Sequence, residues 1–421
     1  MPWKRIITVS VLLVLALFLT WRFLRPMNIF VVTEAFERPI STMVIPAPLK
    51  TLRAKECGEC HPDFYAEWST AIHSQAWTDP YFQVDWKFDR SQQICKNCHT
   101  PLDRQQEGLV LGFRDRAKWD PILASNPDFD RELQHEGVTC AVCHLREGKI
   151  LGPFGGANAP HPVTKIENSN EICMRCHVVG GNRWDTFFRF PPCGTAAEIL
   201  AIRNDGPVVR TGEIAVRDIP ALRCVECHMP LVERPMAVGG EVRSVRRHLW
   251  RGGHDPEMVK QALSVAVREE PGSSPEKRRF TATLTNVGAA HYFPTGTPDR
   301  HLTVHFRLRD AEGKVIKEKR RLLKRTILWR PFIVELWDTR LPYNQPRTLR
   351  FDASIGKRRQ PETLEVTVRY HLLDEARRKR IGYENREPIS YEIYRTIVRL
   401  TNQEPGLSSG LSRRSGPPSG Q

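Results

Sequence analysis

The cysteines of this chain follow a repeated pattern that specifies one kind of chemistry. Ten of the eleven form pairs separated by two residues, and a histidine directly follows each pair. Two cysteines three apart on one helical turn can reach both vinyl groups of a single porphyrin, and the next histidine then lies under the iron. From first to fifth, the motifs are CGECH (57–61), CKNCH (95–99), CAVCH (140–144), CMRCH (173–177) and CVECH (224–228).

These motifs predict five covalently bound haem c groups. Zinc sites also use Cys-x-x-Cys, but nothing in zinc coordination requires a histidine after every pair. Attachment of haem c takes place on the exported side of a membrane, so the motif region is expected there. The predicted thioether cysteines are Cys57, Cys60, Cys95, Cys98, Cys140, Cys143, Cys173, Cys176, Cys224 and Cys227, and the predicted proximal ligands are His61, His99, His144, His177 and His228.

Other histidines are candidates for the second axial position of each iron. His73 follows His61 by twelve residues, on a segment predicted to be helical from Pro62 onward. Twelve helical residues rise about 18 Å, so His73 is expected to serve a different haem from His61. His248 could equally be a solvated helical residue. His135 precedes Cys140 of the third motif by only five residues, so the haem of that motif is a difficult target for it. The full set of distal candidates is His73, His135, His161, His248, His254 and His291.

Cys193 stands outside the motifs, in FPPCGTAAEI. Three interpretations are open for it: a small buried residue, an unusual axial ligand, or a thiol that pairs with another molecule.

The N-terminus predicts a membrane anchor. Lys4 and Arg5 precede an apolar stretch from Ile6 to Trp21 that can continue to Leu24. No small-x-small cleavage site follows it, which favours an uncleaved signal anchor over a secretion signal with an unusual site. About 19 apolar residues nearly span a bilayer core as a helix.

The remaining chain divides by composition. The motif region has weak hydrophobic periodicity, so we predict a multihaem cytochrome c domain of short helices and loops packed around five haems. After it, alternating segments such as RRFTATLTNV and TLEVTVRY predict an all-β, Ig-like sandwich of roughly seven strands. The predicted divisions are 1–25 for a single transmembrane helix, 26–52 for a proline-rich linker, 53–260 for the haem domain, 261–401 for the sandwich and 402–421 for a disordered tail.

Charge is concentrated in the β region. Residues 261–421 carry 31 Lys and Arg against 18 Asp and Glu, a net charge of +13, whereas residues 1–260 have a net charge of +2. The excess of positive charge in the β region predicts an acidic protein partner or an anionic membrane surface. A solvated basic surface that only keeps the protein soluble is the alternative. No aromatic-interleaved motif for reading nucleic acid accompanies the charge, so nucleic acid is not expected as a partner.

Three segments of the motif region resemble a known family. The runs CGECHPDFYAEWSTAIHSQA, GVTCAVCH and ICMRCH resemble the cytochrome c-554 type of multihaem c cytochrome, over roughly residues 53–180. The resemblance implies that His73 ligates the third haem, that His161 ligates the first and that a later histidine serves the fourth. It also implies that the second haem can have an open position. The fifth motif, the sandwich and the anchor depart from the family pattern.

The expected function is electron transfer. We expect a membrane-anchored pentahaem cytochrome that carries electrons between a redox donor and an acceptor on the periplasmic or exterior side. One alternative is a reductase whose open haem, at Cys95, Cys98 and His99, acts on a small nitrogen or sulfur oxyanion. A quinol dehydrogenase and a haem module docked into a larger complex are further alternatives.

Overall fold

A computed structural model describes the chain at residues 2–24, 28, 32, 34–156, 161–177, 185–190, 193–203, 223–274, 276–356 and 360–400. The predicted disordered tail at 402–421 lies outside these residues.

The first helix, α1 (Pro2–Leu24), contacts the rest of the fold near its C-terminal end. Its span Trp3–Leu24 is long and apolar enough to cross a membrane or to be a signal sequence. The apolar side chains along its length are exposed, as expected for a helix that faces lipid. Arg22, near its C-terminal end, is the exception and is buried.

Short helices joined by loops make up the motif region. Several small apolar clusters replace a single large core here; one of them joins Leu52, Leu102, Leu133 and Leu145. The helices are α2 (Glu34–Glu37), α3 (Ala54–Cys60), α4 (Pro62–Ser69), α5 (Pro80–Phe88), α6 (Gln93–His99), α7 (Arg131–His135), α8 (Cys140–His144), α9 (Ser169–His177), α10 (Thr195–Arg203) and α11 (Cys224–His228), with a 3₁₀ turn at Asp103–Gln105.

The helix predicted from Pro62 through His73 is shorter than expected. It ends at Ser69, and turns follow as far as Thr78. Serine and threonine hydroxyls compete with the helical bonds at this point, since Thr70 Oγ1 donates to the carbonyl of Glu67 and Ser74 Oγ to that of Ala71. The chain therefore changes direction before it reaches His73.

Small sheets complete the motif region. One hairpin and one three-stranded sheet follow the second and third motifs, and another hairpin follows the fifth. Their strands are β1 (Gly108–Phe113) with β2 (Pro121–Ser125); β3 (Leu145–Arg146), β4 (Lys149–Gly152) and β5 (Val163–Lys165); and β7 (Leu231–Pro235) with β8 (Val242–Arg246).

Seven longer strands form two antiparallel sheets in the C-terminal region. One sheet has the order β15-β10-β9 and the other β12-β11-β16-β17. Phe280 and Phe351 of the first sheet share one core with Val304, Phe306 and Val366 of the second. The strands are β9 (Leu263–Glu269), β10 (Lys277–Asn286), β11 (His301–Arg309), β12 (Val315–Leu323), β15 (Arg347–Ser354), β16 (Thr363–His371) and β17 (Ser390–Arg399), and the helices α12 (Pro256–Gln261) and α13 (Glu375–Ile381) flank them.

A further sheet connects the two regions. The hairpin β13 (Arg325–Leu328) and β14 (Ile333–Asp338) pairs with the short strand β6 (Thr186–Phe187), which follows the fourth motif. Beside it, the guanidinium of Arg340 binds Glu198 of α10 at 2.7 Å and Asp338 at 2.7 Å, with all three side chains buried. These contacts hold the β region against the motif region.

Candidate haem-binding sites

Each of the five motifs lies on its own short helix. The motif histidine is the last residue of α6, α8, α9 and α11 and caps α3. All eleven cysteines lie in the described part of the chain, and none of them forms a disulfide there. Within the same residues, no group of three or more His, Cys, Asp or Glu side chains converges as a zinc site would.

Backbone carbonyls orient four of the motif histidines. The Nδ1 atoms of these histidines lie 2.5–2.8 Å from a carbonyl oxygen, so that Nδ1–H donates and Nε2 stays free to bind a metal. The carbonyls come from distant segments: Met236 for His61, Ala76 for His99, Leu151 for His144 and Arg251 for His228. Such second-shell bonds fix the tautomer and the plane of a ligating imidazole.

Three motif histidines face a second histidine. The ring centroids are 6.3 Å apart for His61 and His161, 6.3 Å for His73 and His177, and 6.0 Å for His144 and His248. Nitrogen–metal bonds of about 2.0 Å, with about 1 Å more from each nitrogen to its ring centre, separate two imidazoles on one ion by about 6 Å. The three measured separations therefore fit bis-histidine ligation of a haem iron.

The pairing differs in part from the one implied by the family resemblance. His161 lies beside His61 of the first motif, as the resemblance implies. His73 lies beside the fourth motif instead of the third, whose His144 faces His248. Because α4 ends early, the carbonyl of His73 accepts a bond from Val138 N, and this contact holds His73 next to the loop before the third motif. Gly137 makes that approach possible, since a Cβ there would lie 2.8 Å from the same carbonyl.

The other distal candidates lie in different surroundings. Burial lowers the pKa of His291, with a smaller contribution from the charge of His228. His254 is an exposed residue of the loop before α12, and Tyr391 of β17 donates to the carbonyl of the preceding Gly253 at 2.6 Å. His135 is exposed at the end of α7.

The second motif has a distinct neighbour. The ring of Phe82 stacks on His99 with centroids 3.5 Å apart and planes inclined by 6°. Among the ring contacts of the described residues, none brings another histidine to His99. Phe82 therefore fixes the imidazole plane of His99 from one face without offering a ligand.

Three histidines outside the set of distal candidates lie on the larger sheet. His301 stacks on His371 at 4.2 Å, and His305 Nε2 lies 2.9 Å from Glu318 Oε2. All three point away from the shared core of the two sheets, whose side chains from β11 are Leu302, Val304, Phe306 and Leu308.

Burial keeps three of the motif and distal imidazoles in the protonation state that a metal requires. It lowers the pKa of His73 to about 3, with a further contribution from His177, and the pKa values of His99 and His248 to about 4. A neutral imidazole has a free ring nitrogen, whereas a protonated one has none. These histidines are therefore ready to ligate at neutral pH.

Contacts between helices show which motifs adjoin. Helix α3 contacts α8, α6 contacts α9, and α9 contacts α11. The first motif therefore lies against the third, and the fourth lies against both the second and the fifth.

Two residues that the sequence analysis did not identify support the distal histidines. Trp250 makes edge contacts with His73 at 5.0 Å and with His248 at 5.1 Å, and its backbone has a φ of 41°, unusual for a residue other than glycine. The buried carboxylate of Glu67 accepts a bond from the backbone N–H of His248 at 2.7 Å and from the Arg234 guanidinium at 2.8 Å. The sequence offered one signal for these two residues, which is that Trp250 lies two residues after the candidate ligand His248.

Cys193 lies just before α10 and has a φ of 57°. Burial raises the pKa of its thiol, which keeps the thiol protonated and unreactive at neutral pH.

Comparison with known proteins decides the type of this site. Residues 56–118 match the family model for cytochrome c554 and c-prime. A crystal structure of a penta-heme cytochrome c552 from Thermochromatium tepidum superimposes with a TM-score of 0.59 at 17% identity, covering 83% of this chain and 98% of the other. This chain shares the fold of a pentahaem cytochrome, and residues 56–118 resemble the cytochrome c554 and c-prime family.

Two further matched structures align with only part of this chain. The putative ApaA protein from Bordetella pertussis (18% identity) and a putative beta-galactosidase from Bacteroides fragilis (12%) each align with 32% of this chain. The alignments cover 89% and 15% of those two proteins, and the TM-scores of 0.17 and 0.18 support no inference. None of the curated proteins matches this chain in sequence.

Proposed function

We propose that this chain is a membrane-anchored pentahaem cytochrome that carries electrons between redox partners on the periplasmic or exterior side. The observation that carries the proposal is the three facing histidine pairs at separations of 6.0–6.3 Å. A bound haem c supplies one-electron chemistry at its iron. Two histidines per iron leave no position for a substrate, which favours electron transfer over catalysis at these three sites.

The adjacency of the motifs supports a continuous path. The helices of the first and third motifs are in contact, as are those of the second and fourth and of the fourth and fifth. Trp250 contacts both His248, which faces the third motif, and His73, which faces the fourth. The fourth motif would then be the branch point of a network that reaches all five haems.

We further propose distinct roles for the flanking regions. Residues 1–25 would anchor the protein through α1, and residues 26–52 would connect it to a haem domain at 53–260. An Ig-like sandwich at 261–401, with its net positive charge, would receive an acidic redox partner. Imidazole pairs without methionine are expected to keep the haem potentials low, since methionine ligation raises them.

Ligand binding tests the proposal. The oxidised protein should give low-spin electron paramagnetic resonance signals for the three paired haems, and these haems should not bind carbon monoxide when reduced. If carbon monoxide bound to the haems of the first, third and fourth motifs, the distal assignments and the electron-transfer proposal would both fail.

One observation supports a second candidate function, a reductase acting at the second motif. Phe82 stacks on His99, and no histidine ring lies beside His99 among the described residues. A haem held there with one axial position open could bind a small nitrogen or sulfur oxyanion. A high-spin ferric signal that disappears on addition of nitrite would favour this function, and its absence in the holoprotein would remove the candidate.

A further inference from the structure

The sheet β13-β14-β6 has an apolar outer face. Phe187, Leu328, Leu336 and Trp337 are each between 46% and 58% exposed on it. Four large apolar side chains grouped on one small sheet are unusual on a solvated surface, since contiguous apolar patches usually mark interaction sites.

Strand pairing explains why these side chains share a face. Val334 pairs with Leu328 on one side and with Phe187 on the other, so the three side chains lie in one row across the sheet. A bulge opposite Thr326 and Ile327 interrupts the alternation of β14. Both Leu336 and Trp337 are therefore exposed, although consecutive strand residues normally point to opposite faces.

The inner face of the same sheet is fixed to the protein. The Arg325 guanidinium binds Glu335 at 2.7 Å, and both side chains are at most 4% exposed. Ile333 is buried as well. Arg325 also donates to the carbonyl of Phe190, so the inner face of the hairpin is held to the segment that follows β6.

The tip of the hairpin lies against the end of the apolar N-terminal helix. Phe332 is 6.4 Å from Phe18 between ring centroids, and the Arg22 guanidinium lies 5.4 Å from the Phe332 ring. Arg330 donates to the carbonyl of Phe23. Arg22 also pairs with Asp185, directly before β6, at 3.0 Å, and both side chains are buried. The apolar face is therefore continuous with the end of α1.

The composition of the tip suits a membrane interface. The loop between β13 and β14 reads Trp329-Arg330-Pro331-Phe332. Tryptophan is enriched where hydrocarbon meets headgroups, and arginine can hold its guanidinium at the headgroup level while its stem lies on apolar surface. Trp21 near the end of α1 and Trp337 on β14 have the same character.

From this geometry we propose that the sheet β13-β14-β6 lies on the lipid surface into which α1 inserts. The inference rests on the proposed anchoring by α1. Lipid headgroups and the outer ends of acyl chains would cover Phe187, Leu328, Leu336 and Trp337. The two contacts together would hold the haem region at a fixed height and orientation, whereas α1 alone would leave it on a flexible tether.

Lipid photolabelling of the full-length holoprotein tests this inference. The protein is reconstituted into nanodiscs of phosphatidylethanolamine and phosphatidylglycerol that contain a lipid with a diazirine near the top of its acyl chain. After illumination and digestion, adducts are mapped by mass spectrometry. We expect adducts on α1 and on residues 326–338. Leu322 of β12 and Ile397 of β17, which are similarly exposed apolar residues on the other sheet, serve as internal controls and should remain unlabelled.

The outcomes separate the two proposals. Labelled α1 with an unlabelled hairpin would overturn the surface contact and leave the anchor intact, whereas an unlabelled α1 would overturn the anchor itself. The double substitution Leu336→Ser with Trp337→Ser should reduce hairpin labelling at least several-fold while α1 labelling is unchanged. Equal labelling of Leu322, Ile397 and the hairpin would also contradict the inference, because it would show non-specific reaction.

Discussion

The imidazole planes of His144 and His248 are inclined by only 24°. The planes of His61 and His161 are inclined by 60°, and those of His73 and His177 by 67°. Parallel axial imidazoles separate the energies of the two iron d orbitals that overlap with the ligand rings, and nearly perpendicular imidazoles leave them close in energy. If each histidine pair held one haem iron, the three sites would therefore fall into two electronic classes.

We expect these classes to appear in the electron paramagnetic resonance spectrum of the oxidised protein. The third haem should give a rhombic low-spin signal, and the first and fourth should give the strongly anisotropic low-spin signals of perpendicular imidazoles. A spectrum in which these three haems all belonged to one class would contradict the observed ring geometry.

Removal of one distal histidine should open one iron. The substitution His248→Ala removes the imidazole that faces His144, so the reduced variant should bind one more equivalent of carbon monoxide than the parent protein. His135→Ala is the matched control, because His135 is exposed at the end of α7 and should leave the stoichiometry unchanged. No additional carbon monoxide bound by His248→Ala would show that His248 is not the ligand, and an additional site in His135→Ala would assign a ligand role to the exposed His135.

Trp250 should influence two haems together. Its ring touches both His73 and His248, so Trp250→Leu removes packing that holds the planes of both imidazoles. We expect shifts in the resonance signals of the third and fourth haems and no change in the signal of the first. Phe154→Leu, at an exposed aromatic residue, is the control. A uniform change in all signals would indicate general loosening of the fold.

The sequence predicted which residues would bind haem better than it predicted which histidines face each other and which short strands pair. Every Cys-x-x-Cys-His motif was visible because haem attachment depends on neighbours along the chain, and the long strands were visible because alternation is local. The pairing of His73 with His177 was not predictable, since it depends on where α4 ends and on the contact between His73 and Val138. Strand β6 could not be predicted either. It has only two residues, which show no hydrophobic periodicity, and it is a strand only because it pairs with β14.

The buried cluster around Arg340 should dominate the contact between the two regions. Arg340→Met leaves the carboxylates of Glu198 and Asp338 buried without their cation, at an expected cost of about 3–5 kcal/mol in the free energy of unfolding. Arg114→Met removes a pair with Asp120 that is exposed on both sides, at an expected cost of about 0–1 kcal/mol. Denaturant unfolding of both variants measures the difference, and equal costs would contradict this role for Arg340.

The same cluster should make stability depend on acid. Burial opposes ionisation of Asp338, but bonds from Arg340 outweigh it and hold the pKa of Asp338 below its ordinary value of 3.8. A depressed carboxyl pKa gives stabilisation that is present above the unfolded value and is lost as pH falls below it. The melting temperature should therefore fall below about pH 4, and more steeply in the parent than in Asp338→Asn. Identical pH profiles for the two proteins would exclude this contribution.

The intact mass of the denatured protein tests the central claim most directly. If all five motifs bind haem covalently, the mass is that of the polypeptide plus five haems, and changing both cysteines of one motif to alanine removes one haem mass. A polypeptide that carried fewer than five haems after expression with a functional haem-attachment system would contradict the account.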